Sequence, residues 1–128
     1  HYYYFATPKI FNPDSNNFNI NLFNKFSNYY ISNPIKLINL IKDNSPFKIK
    51  FFYPSSTAVD ANMNNLKEYA LVKQFGEISL NSLNYNNISI IIYKFPRLLT
   101  DQTSSIHKFL KSYDILIETN KVIMKMVK

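Results

Sequence analysis

Alternating hydrophobic and polar residues mark the first strand of the central part of the chain, over residues 47–53. Every second side chain there is apolar, and Lys48 and Lys50 fall between them, which is the pattern of a half-buried strand. Pro54 is expected to end this strand, because proline lacks the N–H that a sheet ladder needs. Residues 88–95 are mostly apolar and predict a second, stronger strand.

Apolar residues at helical spacing follow each of these strands. The first stretch begins after capping candidates at residues 55–57 and ends at Gly76, the only glycine, where a left-handed helix stop is expected. Its inward residues are Val59, Met63, Leu66 and Ala70. The inward residues of the second are Ile106, Phe109, Leu110 and Tyr113. Shorter stretches predict a strand at 78–80 and one or two closing strands at 115–117 and 122–127.

The predicted order from residue 46 onward is therefore strand, helix, strand, strand, helix, strand. Two split crossovers in this order place both helices on one face of an antiparallel sheet. The fold class predicted for residues 46–128 is α+β, with a ferredoxin-like βαββαβ sandwich. Such a fold serves RNA binding, small-molecule sensing and protein docking alike, so it does not define a function by itself.

Residues 1–45 are rich in Asn and aromatic side chains and lack a steady period. A short helix over residues 34–42 is the exception, because Ser32 and Asn33 precede Pro34, a residue suited to the first helical position. The aromatic side chains are too many for a free tail. We therefore predict an N-terminal extension that packs on neighbouring proteins and contains the short helix.

Net charge narrows the choice of partners. The chain carries a formal charge of +7 with a pI near 9.5, which favours a polyanion such as RNA or an anionic membrane surface. The chain has fourteen lysines and a single arginine, Arg97, although arginine is the better bidentate ligand for phosphate. Together with the abundance of Asn and Ile, this bias indicates A/T-rich codons, from either a genome or an organelle DNA that is poor in G and C.

Catalytic and cofactor chemistry finds little support in the sequence. The chain has no cysteine, which excludes disulfides, thiolate zinc sites and iron–sulfur clusters, and its single glycine excludes a P-loop or a dinucleotide fingerprint. His107 has no Asp or Glu at neighbouring helical positions, and no carboxylate pair has the spacing of an acid–base site. We predict no catalytic residue, cofactor, metal or small-molecule substrate. No apolar run reaches the length of a membrane-spanning helix.

Lysine residues interleaved with apolar ones are the remaining functional signal. As point charges they would neutralise RNA phosphates without regard to sequence. The predicted RNA-binding residues are Lys48, Lys50, Lys94, Arg97, Lys108 and Lys111. A solvated surface in a lysine-rich chain accounts for the same residues, and both interpretations stay open. Stacking of RNA bases on strand aromatics is less favoured, because the aromatics of the two strands are expected in the core.

The order of elements over residues 46–128 resembles that of the small-subunit ribosomal protein ten family. Residues 47–51 resemble its opening strand, and residues 90–97 resemble its later strand and loop. Arg97 stands where that family has the His of a Ser-Pro-His loop. The resemblance implies a protein of the head of the small ribosomal subunit, with Lys94 and Arg97 contacting RNA.

These observations predict a structural, non-enzymatic constituent of the small subunit of a mitochondrial ribosome, located in the matrix. Its partners would be rRNA and neighbouring ribosomal proteins, the latter through the extension. An accessory, non-catalytic subunit of a respiratory complex or ATP synthase is the alternative, because those genes share A/T-rich organellar coding and an aromatic extension suits protein or lipid contact equally well. A small-molecule-binding or enzymatic ferredoxin-like domain is a third hypothesis.

Overall fold

The computed structural model describes residues 1–10, 17–60, 66–98 and 113–128. In chain order the elements are β1 (Tyr2–Tyr3), α1 (Ile20–Ser27), a π-helical segment (Asn28–Ser32), α2 (Asn33–Asn44), β2 (Ile49–Ser56), a 3-10 turn (Thr57–Asp60), α3 (Lys67–Asn81), β3 (Ile88–Phe95) and α4 (Ile115–Val127). The helix predicted around His107 lies outside the described residues, and so do Lys108 and Lys111.

The described strands form one parallel sheet in the order β1, β2, β3. Tyr2 lies opposite Phe51, and Ile49 lies opposite Ile88, so the amino ends of the strands share one edge of the sheet. Each connection between strands contains a helix, as a parallel pairing requires. A mixed fold of helices and strands is thus confirmed. The ferredoxin-like sandwich is not, because its sheet would be antiparallel.

Helix α3 continues through Gly76 to Asn81, so the strand predicted at residues 78–80 was wrong. Gly76 has no positive φ and does not end the helix. It allows a close approach instead, because a Cβ here would come within 2.8 Å of the Tyr30 carbonyl oxygen and would collide with the Tyr53 hydroxyl. Since residues 78–80 stay helical, the strand pair expected for an antiparallel sheet does not form there.

The helix predicted at residues 34–42 is confirmed as α2, although it does not begin at a cap. Helix α1, the π-helical segment and α2 follow one another without a break over residues 20–44, and Ser32 keeps helical backbone angles without a capping hydrogen bond. Pro34 has no N–H to donate to the carbonyl of Tyr30, four residues earlier. That carbonyl accepts a hydrogen bond from the Tyr53 hydroxyl at 3.0 Å instead, which compensates for proline inside a long helix.

The larger hydrophobic core lies between the sheet and helices α1, α2 and α3. Its buried members are Tyr4, Phe26, Tyr30, Ile38, Ile41, Ile49, Phe51, Tyr53, Val72, Leu80 and Ile88. Side chains from residues 1–45, predicted to pack on other proteins, therefore complete the same core as the strands.

A smaller core lies on the opposite face of the sheet, where Phe52 packs against Val122 and Met126 of α4. Phe51 and Phe52 are both fully buried and belong to different cores. Strand β2 is therefore covered on both faces, as in parallel sheets flanked by helices, and is not half-buried as predicted.

The closing strands predicted at 115–117 and 122–127 were wrong, because the single helix α4 spans both. Asp114 caps this helix, accepting hydrogen bonds from the N–H groups of Leu116 and Ile117 at 2.7 and 3.1 Å. The buried residues of α4 recur every fourth position, which is helical spacing. They are Glu118, Val122 and Met126.

Strand β2 begins and ends later than predicted. Phe47 lies outside it and is 75% exposed, although it was expected to face inward. Pro54 does not end the strand, which runs to Ser56 and keeps Pro54 opposite Tyr93 of β3. The strand predicted over residues 88–95 is confirmed as β3.

Candidate nucleic-acid interface

A groove of about 270 Å³ opens at the edge of the sheet where the strands begin. It is lined by His1, Lys48, Ile49, Lys50, Asn86, Asn87 and Ser89. None of these described lining residues is acidic, so the groove is polar and positively charged. This is the arrangement that neutralises phosphate groups.

Hydrogen bonds at the start of β2 and β3 hold the groove in shape. The Ile49 N–H donates to the Asn87 carbonyl at 2.7 Å, and the Asn87 side-chain amide donates to the Ser45 carbonyl at 3.2 Å. In register, Lys50 lies opposite Ser89. These hydrogen bonds fix the backbone next to the two lysines. The side chain of Lys48 is exposed, and that of Lys50 is half-buried.

Two of the six predicted RNA-binding residues, Lys48 and Lys50, are therefore brought together. Within the part of the chain that the structure describes, neither forms an ion pair. Sequence reasoning placed both on the polar side of a half-buried strand. In the structure Lys48 precedes β2 and β2 is covered on both faces, and what the two lysines share is the groove.

Lys94 lies in a different environment, at the carboxyl end of β3. Its Nζ donates to both carboxylate oxygens of Asp60, at 3.0 and 3.2 Å, and lies 3.7 Å from Oε2 of Glu77. The hydrogen bond to Asp60 raises the pKa of the Lys94 ammonium, and the negative charge of Glu77 acts in the same direction. Its charge is thus compensated within the protein, which the linear sequence did not indicate.

Arg97 also lies on the carboxyl side of the sheet, just beyond β3. It is half-buried, and its carbonyl accepts a hydrogen bond from the Tyr113 N–H at 2.9 Å. Lys50 and Lys94 are separated by five register positions along the paired strands. At about 3.3 Å per residue, this places their backbones about 16 Å apart. The four predicted residues that the structure describes therefore do not form one surface.

A row of aromatic rings next to the groove was missed by sequence reasoning. The rings of Tyr3 and Phe5 are stacked, with centroids 6.3 Å apart and planes within 4°, and His1 meets Tyr3 edge-on at 6.4 Å. Tyr3 is 40% exposed and Phe5 54% exposed. The signal was hidden because residues 2–5 are all aromatic, so no alternation between apolar and polar types distinguishes the two faces of this segment.

The second feature missed by sequence reasoning is a buried lysine on α3. Lys73 is 2% exposed, and its Nζ donates to the Pro54 carbonyl at 2.5 Å while lying 3.8 Å from the ring centroid of Tyr30 and 4.8 Å from that of Tyr53. Burial lowers the pKa of Lys73 to about 7, although the negative charge of Glu77 opposes the shift. The sequence did contain a signal of this burial. Lys73 is spaced from Gly76 and from the apolar positions of α3 so that it falls on the same side of the helix.

This lysine has the protonation behaviour of a nucleophilic amine but not the access of one. Its ammonium is enclosed by tyrosine rings and bonded to a backbone carbonyl, so a substrate would have to displace the core to reach it. The arrangement supports a role in packing.

Over residues 1–10, 17–60, 66–98 and 113–128, no three His, Asp or Glu side chains come together in a group suited to a metal ion. None of the helices in these ranges has both the length and the apolar character to span a bilayer.

Comparison with known proteins gave no relatives: no family model, no curated protein and no solved structure matches this chain. The groove, the aromatic row and the two lysine environments are therefore the observations from which a function is inferred.

Proposed function

We propose that this protein is a non-catalytic RNA-binding constituent of a large assembly, specifically of the small subunit of a mitochondrial ribosome in the matrix. The observation that carries the proposal is the groove at the amino edge of the sheet. There, Lys48 and Lys50 converge with His1 and the amides of Asn86 and Asn87, and no described lining residue is acidic.

The physical basis is electrostatic. Lysine ammonium groups release counterions from the nucleic-acid backbone when they approach phosphates, and they do so without regard to base sequence. The +7 charge of the chain supports the same kind of partner. The contact suggested by resemblance to the small-subunit ribosomal protein ten family involved Lys94 and Arg97. Because Asp60 and Glu77 compensate Lys94, we place the principal contact at Lys48 and Lys50 instead.

The first test measures RNA affinity against salt concentration. A labelled RNA hairpin with a single-stranded tail is titrated with the wild type and with the double variant Lys48→Gln and Lys50→Gln. Loss of two phosphate contacts should weaken binding and flatten the slope of log K against log salt by about 1.4 to 1.8. The matched control is Lys25→Gln with Lys36→Gln, which removes the same charge from exposed positions on α1 and α2. Equal salt slopes for the two double variants would contradict the proposal.

The second test concerns the assembly. The native protein should sediment with large RNA-containing particles and be released when those particles are treated with ribonuclease. If the protein persists in a protein-only complex after RNA digestion, the ribosomal assignment fails.

A second candidate function is supported by the outward face of α4. Apolar side chains on this face are exposed, and they are Leu116, Ile117, Ile123, Met124 and Val127. Such a face suits protein contact in an accessory subunit of a respiratory complex or ATP synthase. Sedimentation with membrane complexes, unaffected by ribonuclease, would favour this candidate over the ribosomal one.

A further inference from the structure

Residues 2–5, of which Tyr2 and Tyr3 form β1, present their side chains to two different surroundings. Tyr4 points to the larger core, where its ring lies 6.3 Å from that of Phe51 and its hydroxyl donates to the Tyr29 carbonyl at 2.5 Å. Tyr3 and Phe5 point to the other face, where their rings lie 6.0 and 5.5 Å from that of Phe52. These two rings therefore belong to the face of the sheet that α4 covers in part.

Helix α4 leaves the β1 side of this face open. It buries Phe52 beneath Val122 and Met126, whereas Tyr3 and Phe5 remain about half exposed. Exposed aromatic rings on a strand cost free energy in water, since apolar surface is left unburied. The two rings also share one orientation, with planes within 4° of each other. Parallel, exposed rings at alternate positions of a segment that lies along a sheet are suited to the stacking of unpaired nucleic-acid bases.

The cationic groove adjoins this pair of rings. Tyr3 lies opposite Phe52, so His1, which is two residues earlier and directly precedes β1, comes beside Lys50 if the same register is extended. His1 both lines the groove and meets Tyr3 edge-on. A single-stranded segment lying along β1 would thus meet aromatic rings at one end and lysines at the other.

We propose that the open strip of the sheet beside α4 binds single-stranded RNA, with bases stacked on Tyr3 and Phe5 and adjoining phosphates neutralised by Lys48 and Lys50. The inference rests on the proposed RNA-binding function and adds the class of RNA and the mode of recognition. A duplex cannot make these stacking contacts, because its bases are stacked on one another and offer no free face to an aromatic ring. A lipid surface suits it less well, because Asn86, Asn87 and Ser89 line the groove with polar groups.

The test compares two kinds of variant on two RNA probes. A labelled single-stranded oligouridylate and a blunt duplex of the same length are each titrated, across a salt series, with the full chain. Replacing both rings, Tyr3→Leu with Phe5→Leu, should weaken binding of the single strand by about tenfold to a hundredfold, as removal of stacking partners does. The salt slope should stay unchanged, because no cation is lost. The duplex should bind more weakly than the single strand and be insensitive to this change.

The matched control is Tyr2→Leu with Phe18→Leu. It also removes two exposed rings: Tyr2, which lies on β1 next to Tyr3, and Phe18, which precedes α1. This control should bind the single strand like the wild type. If the Tyr3 and Phe5 variant binds as tightly as the control, the stacking platform is overturned.

A measurement on the wild type guards against a variant that fails to fold. Ultraviolet crosslinking of a thiouridine-containing oligonucleotide should attach it to the peptide that holds Tyr3 and Phe5. Crosslinks confined to other peptides would overturn the inference. The two proposals fail differently: a salt slope that depends on Lys48 and Lys50, without any effect of the rings, overturns the platform alone. A wild type that binds neither RNA overturns the proposed function with it.

Discussion

The two ends of the sheet hold lysines in opposite states. At the amino edge, Lys48 and Lys50 line an open groove without an ion pair among the described residues. At the carboxyl edge, Lys73 is enclosed by tyrosines, and Lys94 is paired with Asp60 and Glu77. All four lysines count equally in the formal net charge. Of these four, only Lys48 and Lys50 have a charge that is open to a partner.

This difference shows that the position of a lysine in the fold decides whether its charge is open to a partner or is compensated within the protein. Ligands of open parallel sheets ordinarily bind at the carboxyl edge. Here that edge is occupied by the protein's own side chains: Ser55 donates a hydrogen bond to Glu77, and Lys94 bridges Glu77 and Asp60. The edge that is usually vacant carries the groove instead.

The largest expected effect concerns the free-energy cost of burying Lys73. Lys73 has a pKa of about 7 in the folded protein against an ordinary value of 10.5. Between these values the unfolded chain binds more protons than the folded one, so raising the pH favours folding. We expect the free energy of unfolding to gain up to ~1.4 kcal/mol per pH unit from this group between pH 7 and about 9.5. The variant Lys73→Met should lack that gain in urea denaturation at several pH values.

The control for this prediction is Lys36→Met, which changes an exposed lysine on α2 and should keep the pH dependence of the wild type. The window ends below pH 10 because burial raises the pKa of Tyr30 and Tyr53. Above that pH the unfolded chain loses protons from these tyrosines first, and stability falls again. A Lys73→Met protein with the wild-type pH slope would show that the lysine keeps its charge in the core.

A smaller effect is expected where α3 approaches the tyrosines around Lys73. Gly76→Ala should destabilise the protein by about 1–2 kcal/mol, because the added Cβ meets the Tyr30 carbonyl and the Tyr53 hydroxyl. The gain in helix propensity from alanine offsets only part of this cost. Gln74→Ala, at an exposed position of the same helix, is the control. A stabilised Gly76→Ala protein in thermal or urea unfolding would mean that α3 has room to shift.

At the amino edge, the same kind of measurement should show almost nothing. The double variant Lys48→Gln and Lys50→Gln should unfold within about 0.5 kcal/mol of the wild type, because both side chains line the open groove and neither is fully buried. Its RNA affinity should nevertheless fall. A large loss of stability would mean that these lysines support the fold, and the contrast between the two edges would disappear.

Sequence pattern found the elements whose signal is local. The helix at residues 34–42 and the strand at Ile88–Phe95 follow from spacing within a single segment. The closing helix was misread as strands because Ile and Val are abundant in residues 115–127, and this strand propensity outweighed the four-residue spacing of its buried positions. Tertiary packing decided in favour of the helix.

The misread role of Gly76 had the widest consequence for the fold. A lone glycine in a helical pattern was interpreted as a stop, whereas it marks a close contact with Tyr30 and Tyr53, which are distant in sequence. Once residues 78–80 were assigned to a strand, an antiparallel sheet followed. No local pattern distinguishes these two uses of glycine, because the contact partner comes from other elements.

The candidate site, like the fold, could be predicted only where its signal is local in the sequence. Alternation placed Lys48 and Lys50 on the polar side of a strand, and both lie in the groove. The neutralisation of Lys94 was not predictable, since Asp60 and Glu77 reach it only when β3 lies beside the end of β2 and α3. Interaction partners that are distant in the chain leave no trace in its local pattern.

The smallest expected effect isolates this pairing. Asp60→Asn removes the negative charge, and one of the two acceptor oxygens, that hold Lys94 at 3.0 Å. The pKa of the Lys94 ammonium should therefore fall towards its ordinary value, with Glu77 at 3.7 Å retaining part of the shift. An NMR titration of the lysine side chains measures this change, and Asp43→Asn, which removes the partner of Lys42, is the control. RNA affinity should change by less than about twofold, because Lys94 lies more than a screening length from the groove. A marked gain in RNA affinity for Asp60→Asn would show that the carboxyl edge also reaches the RNA once Lys94 is released from Asp60.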